Sequence, residues 1–208
     1  MRSAKSAIGQ FSALRRYSAQ GQHGSMVHIP FSRSIRYVVN KKMLEKKLNK
    51  ERWVFSGPTV VLILNESVSW ERYYLPVPVK DKVVLDVGAG EGETARFFLE
   101  HGAKRVTCIE SNQKAFCSLR RNSLDHDSIT AVFKRFSASD LEAFPCDFLK
   151  VDIEGCEECL LDVQLSVPAV IEVHGLQLRD RFRVKGYRID DSRSCDEANL
   201  FSYAYWMC

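Results

Sequence analysis

A glycine-rich segment bordered by acidic residues is the first group in the sequence whose residue types and spacing could do chemistry. The apolar run Lys82–Val87 predicts a buried strand, and it leads directly into Gly88, Gly90 and Gly92, after which the pattern predicts a helix over Glu93–His101. Glycines between a strand and a helix let a ligand approach the backbone at the carboxyl end of the strand. The segment therefore predicts a nucleotide-binding loop.

The charge of this loop distinguishes between two classes of nucleotide. A dinucleotide-binding loop has the pattern G-x-G-x-x-G, but the position of its third glycine is occupied by Glu93, which would face a pyrophosphate with the wrong charge. S-adenosylmethionine carries an ammonium, a carboxylate and a sulfonium but no phosphate, so acidic residues suit this cationic ligand, and Asp86 is placed to meet its amino group directly or through water. Glu110, 24 residues after Asp86 at the end of the second predicted strand, is placed to accept hydrogen bonds from two ribose hydroxyls.

Carboxylates and a histidine also lie at the ends of two later predicted strands. Asp152 and Glu154 come at the end of the strand predicted over Phe148–Ile153, and His174 follows the one predicted over Ala169–Val173. Parallel strands end at the same edge of a sheet, so we expect these side chains to converge. A hydroxyl that accepts a methyl group must lose a proton, which predicts Asp152 or His174 as general base, with Glu154 orienting the substrate or its own loop.

These residues also have other interpretations. Asp152 and Glu154 could instead hold a divalent cation, although we predict no metal. His174 could cap a helix at the surface, and Glu172 could be structural. Lys150 could form a buried ion pair or belong to the site.

The segments Val84–Thr94 and Ile109–Glu110 resemble the first two motifs of the class I S-adenosylmethionine-dependent methyltransferases. The resemblance implies that the methionine end of the cofactor lies against the glycine loop and that an acidic side chain holds its ribose. It further implies that Ser137–Asp140, after the third predicted strand, lies near the adenine. The cofactor-binding residues expected on this basis are Asp86, Gly88, Ala89, Gly90, Gly92, Glu110, Ser111 and Ser139.

The sequence K-V-D-I-E-G-C-E at Lys150–Glu157 closely resembles the signature of the FkbM family of methyltransferases. Val170–His174 and Gly186-Tyr187 also resemble that family, and the resemblance covers approximately residues 66–206. It implies an O-methyltransferase that uses S-adenosylmethionine to modify a hydroxyl of a sugar, a glycolipid or a small metabolite.

From Lys82 onward, predicted strands and helices alternate. This order predicts an α/β fold with a Rossmann-like, mostly parallel sheet, helices on both faces and an antiparallel hairpin at the C-terminal edge. We expect a basic, disordered extension over residues 1–33, a helix and strand cap over 34–80, and the methyltransferase domain over 81–208. The other predicted elements are helices over Ser34–Lys50, Trp70–Leu75, Asn112–Asn122, Cys156–Val163 and Leu176–Val184, and strands over Thr59–Leu64, Arg105–Ile109, Ile129–Phe133, Tyr187–Ile189 and Leu200–Trp206.

Composition limits the class of protein. The chain is 45% hydrophobic and 27% charged, and no stretch approaches the roughly 18 consecutive apolar residues of a membrane helix, so we expect no integral membrane association. The seven cysteines are scattered and no secretory signal precedes them, which predicts reduced thiols in the cytoplasm. Cys156 and Cys159 form a C-x-x-C without the second ligand pair that a structural zinc site needs.

The segment before Glu45 has a one-signed charge, with eight Lys and Arg residues and no acidic residue. Such an arm could contact the phosphates of RNA or of lipid head groups, although we favour a solvated tail. An RNA methyltransferase is therefore an alternative function. A non-catalytic module that keeps the cofactor site is another.

Overall fold

The computed structural model describes the backbone of residues 31–191 and 201–207, and the side chains of residues 40–191 and 202–207. The chain forms two compact units, which divide between Glu71 and Arg72. The basic extension expected before the first helix lies almost wholly outside the described residues, as does Leu200 at the start of the last predicted strand. None of the described helices combines the length and the apolar composition needed to cross a membrane.

The described elements alternate from β1 onward as the sequence predicts. In chain order they are α1 (Phe31–Lys50), α2 (Gly57–Tyr74), β1 (Val83–Val87), α3 (Glu93–Glu100), β2 (Arg105–Glu110), α4 (Gln113–Ser123), β3 (Ile129–Phe133), α5 (Asp140–Ala143), β4 (Phe148–Val151), a 3₁₀ turn (Glu157–Leu160), β5 (Ala169–His174), α6 (Leu176–Val184), β6 (Arg188–Asp190) and β7 (Phe201–Trp206).

The strands form a seven-stranded sheet in the order β3-β2-β1-β4-β5-β7-β6. The first five strands are mutually parallel, and β7 pairs antiparallel with both β5 and β6. The chain runs from β1 to β2 and β3 on one side of β1 and returns to β4 and β5 on its other side. Because such crossovers are almost always right-handed, this change of direction puts helices on both faces of the sheet. The fold is therefore the predicted mostly parallel, Rossmann-like sheet with an antiparallel C-terminal edge.

The central strands β1 and β4 are mostly apolar, as expected of parallel strands whose two faces are covered by helices. Val84, Leu85 and Val87 of β1 have no exposed surface. Two charged residues interrupt this pattern, Asp86 on β1 and Lys150 on β4, and the register pairs them directly with each other. The sheet thus brings opposite charges together in its interior.

The chain leaves β1 toward β2 and β3, and later returns to lay β4 on the other side of β1. The two crossovers diverge at this point, which opens a crevice at the carboxyl ends of β1 and β4, where ligands bind in open α/β sheets. The glycine loop follows β1, and Asp152 follows β4. Both predicted halves of the site therefore lie at the switch point of the sheet.

The predicted strand over Thr59–Leu64 is wrong, because this segment lies inside the 18-residue helix α2. Its β-branched residues favour a strand only locally. Ser56 starts the helix, since its carbonyl accepts the N–H of Val60 at 3.0 Å, and Pro58 is tolerated in the first turn. The buried positions Val60, Ile63 and Trp70 follow a helical period over a longer window than the strand prediction used. The short helix predicted over Trp70–Leu75 is the end of this same helix.

The predicted helix over Cys156–Val163 is also wrong in type, because a single 3₁₀ turn stands there. The N–H groups of Leu161 and Val163 bond to carbonyls three residues back, at 3.0 and 3.2 Å. At the start of the turn, the side chain of Glu157 accepts the N–H of Gly155 and bonds to the ring of His174. A contact with β5 therefore sets the conformation of this segment, and helical periodicity does not.

Gly88 is the position where the fold tolerates no side chain. Its φ is +73°, and a Cβ there would lie 1.7 Å from the carbonyl oxygen of Asp152.

We expect Gly88→Ala to lower the free energy of unfolding by at least about 3 kcal/mol, measured by urea denaturation, because backbone strain adds to a clash with the carbonyl of Asp152. Gly155→Ala is the matched control, since Gly155 has a φ of +94° but open space around its Cβ. It carries the backbone cost alone, about 1–2 kcal/mol. Equal losses in the two variants would contradict the clash.

Candidate active site at the carboxyl edge of the sheet

The glycine loop is fixed to the neighbouring strand by its own backbone. The N–H groups of Gly88 and Ala89 both donate to the carbonyl of Ile109 at the end of β2, at 2.9 and 3.2 Å. Gly88, Gly90 and Gly92 all have positive φ, which glycine adopts without a Cβ penalty. The loop therefore has the tight conformation that the sequence predicts, directly above the ends of β1 and β2.

Asp86 lies beneath the loop and has no exposed surface. Its Oδ2 accepts the hydroxyl of Thr94 at 2.6 Å, and its Oδ1 lies 3.2 Å from the Nζ of Lys150. This is the buried ion pair that the sequence left as one interpretation of Lys150. Because the carboxylate is enclosed and neutralised, the structure presents no Asp86 oxygen at the surface for a ligand, and the side chain is placed to position the loop.

Lys150 connects the two halves of the site. Its Nζ donates to the carbonyl of Gly88 at 2.9 Å and lies 3.9 Å from Oδ2 of Asp152, and it stands 5.8 Å from the centre of the Tyr74 ring. Burial alone would lower the pKa of this ammonium, but the charges of Asp86 and Asp152 outweigh it and raise the pKa above its ordinary value. Lys150 is therefore a permanent cation between the glycine loop and Asp152.

Glu93 places a carboxyl group inside the loop. Its carboxylate accepts the N–H of Glu91 at 2.9 Å, and it occupies the space beside Gly90, where a Cβ would lie 2.4 Å from Glu93 Oε1. Burial raises the pKa of Glu93 to about 7. The sequence had used this residue only to argue against a pyrophosphate. The structure places its carboxylate in the loop itself.

Glu110 ties the end of β2 to the glycine loop. One carboxylate oxygen accepts the N–H of Gly90 at 2.9 Å and the other accepts the N–H of Asn112 at 2.6 Å. Each oxygen keeps a further lone pair. The predicted ribose-binding residue therefore stands next to the loop in a fixed orientation, with Ser111 exposed beside it.

The segment predicted near the adenine forms a compact loop after β3. The carboxylate of Asp140 accepts the backbone N–H of Ser137 at 2.8 Å and pairs with Lys134. Desolvation would raise the pKa of Asp140, but these contacts outweigh it and hold the pKa below its usual value. Ser139 is exposed on this loop, with its hydroxyl 3.0 Å from that of Ser137.

Asp152 and His174 do converge, and Glu172 joins them. One side-chain atom from each of these three residues lies within 4.8 Å of the others. Glu154 reaches the cluster from outside, because its side chain is 86% exposed while its Oε2 lies 3.5 Å from Nε2 of His174. Glu172 is bonded to the hydroxyl of Tyr74 at 3.2 Å. The three predicted catalytic residues therefore share one edge of the sheet, and Glu172, which the sequence offered as structural, belongs with them.

Glu157 is the residue of this cluster that the sequence did not single out. It is fully buried, and its Oε1 lies 2.8 Å from Nδ1 of His174, which leaves Nε2 directed toward the other carboxylates. The sequence does carry a signal for Glu157, because this carboxylate ends the K-V-D-I-E-G-C-E run at a position that starts a turn and does not lie on a solvated helix face. Its partner lies 17 residues further along the chain, so local spacing does not reveal the contact.

Crowded carboxylates shift the titration of this cluster. Burial raises the pKa of Asp152, and burial together with the charge of Asp152 raises the pKa of Glu172 to about 7. Burial lowers the pKa of His174, but the hydrogen bond and charge of Glu157, with the charges of Asp152 and Glu154, outweigh it and raise the pKa to about 9. At neutral pH His174 is therefore an imidazolium, and Asp152 is the better proton acceptor.

Cys156 and Cys159 do not join a cluster of metal ligands. The group among the described residues that could hold an ion consists of Asp152, Glu172 and His174. Cys156 is exposed and lies 3.2 Å from the guanidinium of Arg135.

No family model matches the chain. The chain is 39% identical to protein arginine N-methyltransferase 1 of Caenorhabditis elegans over 77 residues, which are 36% of this chain and 21% of that protein. It therefore spans about a fifth of the length of the curated relative it matches.

Solved structures share the architecture. Precorrin-6y C5,15-methyltransferase from Geobacter metallireducens superposes with a TM-score of 0.54 at 14% identity, over 76% of this chain and 95% of that one. Fibrillarin of Aeropyrum pernix, solved with natively bound S-adenosyl-L-methionine, superposes with a TM-score of 0.51 at 14% identity, over 67% of this chain and 73% of that one. At these identities the likeness shows the fold alone.

The contact between His174 and Glu157 makes a testable prediction about titration. We expect an NMR titration of the His174 ring to give a pKa of about 9, and we expect Glu157→Gln to lower it toward the ordinary value of 6.5 because the imidazolium loses its carboxylate partner. Since the folded-state pKa is raised, the stabilisation from this contact is complete below about pH 6.5 and is lost as the pH rises through about 9. Glu158→Gln, an exposed neighbour in the same turn, is the control. An unchanged His174 pKa in Glu157→Gln would show that the contact does not govern the titration.

Proposed function

We propose that this chain is an S-adenosylmethionine-dependent methyltransferase of the FkbM-like kind, which methylates a hydroxyl oxygen of a sugar, a glycolipid or a small metabolite. The proposal is supported by the class I methyltransferase fold and by the acidic character of the glycine loop. It is also supported by the cluster of proton-accepting groups at the end of the neighbouring strand.

The residues of the loop suit S-adenosylmethionine. Gly88 and Gly90 have positive φ and are partly exposed, and the space beside their Cα atoms is filled by Asp152 and Glu93. Two carboxylates, those of Glu93 and Glu110, bond to backbone N–H groups of the loop and would repel a phosphate, while the ammonium of Lys150 at the Gly88 carbonyl is paired with Asp86. Gly88, Ala89, Gly90 and Gly92 would hold the methionine end, Glu110 and Ser111 the ribose, and Ser139 the adenine. When bound, S-adenosylmethionine supplies an electrophilic methyl group on a sulfonium.

The observation that carries the proposal is the direct contact between the two halves of the site. The backbone of Gly88 packs against the carbonyl of Asp152 so closely that even a methyl group would not fit between them. A ligand on the glycine loop therefore lies next to Asp152. Methyl transfer needs such an arrangement, because orientation of the acceptor in line with the donor provides much of the rate.

The cluster divides the remaining work among its side chains. Asp152 accepts the proton of the acceptor hydroxyl, because burial raises its pKa above its ordinary value. His174, held by Glu157 as an imidazolium, donates a hydrogen bond that orients the acceptor oxygen. Glu154, exposed at the rim with a φ of +53°, orients the substrate.

A guanidinium of a protein arginine is the second candidate acceptor. It is favoured by the carboxylates at the rim of the site, of which Glu154 is 86% exposed, since they attract a cation. The 77-residue match to an arginine methyltransferase points the same way. The oxygen acceptor is preferred because the K-V-D-I-E-G-C-E run at Lys150–Glu157 resembles the O-methyltransferase family.

Cofactor binding tests the first half of the proposal. We expect Glu110→Gln to weaken binding of S-adenosylmethionine by at least tenfold, about 1.4 kcal/mol, measured by calorimetry, because one of the two acceptor oxygens for the ribose is replaced by a donor. Asp162→Asn, whose side chain is 94% exposed, is the control and should bind as the wild type does. Equal affinities in all three proteins would remove Glu110 from the cofactor site.

Transfer to cell extract tests the second half. The chain is incubated with tritiated-methyl S-adenosylmethionine, and label is counted in the lipid, glycan, small-molecule, RNA and protein fractions. We expect label in the lipid, glycan or small-molecule fraction. Label confined to RNA or to arginine side chains would contradict the proposed hydroxyl acceptor and identify RNA or protein arginine as the acceptor.

We expect Asp152→Asn to lower the transfer rate by about 100-fold or more while affinity for the cofactor changes less than about twofold. Undiminished transfer in this variant would exclude Asp152 as the base, and no transfer by the wild type would favour a cofactor-binding module.

A further inference from the structure

Three side chains of the candidate site form a group that the proposed methyl transfer does not fully use. Asp152 follows β4, and Glu172 and His174 lie on β5, with one oxygen or nitrogen atom from each within 4.8 Å of the other two. Nε2 of His174 lies 4.0 Å from Oε1 of Glu172. All three residues are partly buried, so the group faces a space that is sheltered but open to solvent.

Each of these side chains is held by a separate buried group. Glu157 bonds to Nδ1 of His174 and so leaves Nε2 for the centre of the group. The hydroxyl of Tyr74 donates to Oε2 of Glu172 at 3.2 Å and leaves Oε1 nearest the histidine. Lys150 lies behind Asp152. Metal-binding histidines and carboxylates are oriented in this way, by an outer partner that fixes the ligand atom.

A second observation indicates a missing cation. Glu157 is fully buried, and its Oε2 has no hydrogen-bond partner. Four carboxylates lie in contact with His174 or adjacent to it, those of Asp152, Glu154, Glu157 and Glu172. Lys150, the lysine paired with Asp152, is already shared with Asp86 and with the carbonyl of Gly88. Three of these carboxylates, those of Asp152, Glu157 and Glu172, are buried or partly buried, and the single positive charge of His174 does not balance them, so a bound cation would stabilise the group.

We propose that Asp152, Glu172 and His174 bind a divalent first-row transition-metal ion. Two carboxylate oxygens and one imidazole nitrogen suit the ions of this series from Mn²⁺ to Zn²⁺, and Mn²⁺, a hard ion that favours carboxylate oxygens, serves as a paramagnetic probe. Three ligand atoms evenly spaced at about 2.1 Å from one ion lie at most roughly 3.6 Å apart. The 4.0 Å between Nε2 of His174 and Oε1 of Glu172 is wider than this, so the side chains would close around the ion on binding. His174 would bind as the neutral imidazole, so the ion would displace the Nε2 proton of the imidazolium.

Such an ion would leave coordination positions for water and for an acceptor oxygen. An oxygen bound to a divalent ion has a lowered pKa, which eases its deprotonation. Asp152 can bind the ion through one carboxylate oxygen and keep the other for the proton. The site itself does not depend on the methyl donor, so the inference goes beyond the proposed function and is tested without it.

The test titrates Mn²⁺ into the full-length chain after removal of metals with a chelator, followed by calorimetry and electron paramagnetic resonance. We expect one Mn²⁺ per chain, with pulsed spectra that show coupling to an imidazole nitrogen. His174→Gln should abolish that coupling, and Glu172→Gln should weaken binding by roughly 100-fold. No saturable binding at about 1 mM Mn²⁺, or binding without nitrogen coupling, would overturn the proposal.

Glu157 and Glu158 provide a matched pair in the same turn, one buried and one exposed. We expect Glu157→Gln to weaken Mn²⁺ binding by roughly 10- to 100-fold and Glu158→Gln to leave it unchanged. Equal effects would indicate non-specific charge attraction and would overturn the site. The nitrogen coupling in the wild type decides the question even if a buried variant does not fold. Titration of the chelator-treated chain with S-adenosylmethionine reports separately on the proposed function.

Discussion

The buried ammonium group of Lys150 connects the two halves of the candidate site, which are the glycine loop and the end of β4. It lies on β4, opposite Asp86 of β1 in the sheet register, and it also bonds to the carbonyl of Gly88 and approaches Asp152. Removing one partner of a buried ion pair costs about 3–5 kcal/mol, because the other charge is left without compensation. The glycine loop and the end of β4 therefore hold a fixed position relative to each other. A methyl donor bound at the loop and an acceptor bound at Asp152 would be held in the same fixed arrangement.

The pairing of Lys150 with Asp86 also affects the charge that the glycine loop presents to a ligand. A carboxylate at the end of the first strand suggested a contact with the ammonium of a ligand, directly or through water, and in the structure this carboxylate pairs with Lys150 inside the sheet. Two further carboxylates near the glycines, those of Glu93 and Glu110, bond to backbone N–H groups of the loop. The preference that we propose for a cationic nucleoside therefore rests on the acidic groups of the loop together, with Asp86 beneath them.

The parts of the fold that could be predicted are those set by local pattern. Continuous apolar runs indicate strands buried on both faces, and glycines with positive φ mark the turn after β1. Prediction failed where distant contacts outweigh local propensity. The run Thr59–Leu64 favours a strand by composition, yet burial at helical spacing over a longer window places it in α2. Glu157 was missed because its partner His174 is brought to it only by the pairing of β4 with β5.

The central claim is that this glycine loop selects a positively charged nucleoside and rejects phosphate-bearing ones. Parallel calorimetric titrations of the wild-type chain with S-adenosylmethionine, its demethylated product, NAD and ATP test it most directly. The account predicts saturable binding of the first two and none of the phosphate-bearing ligands under the same conditions. Tight binding of NAD or ATP, with no heat from the sulfonium compound or its product, would contradict it.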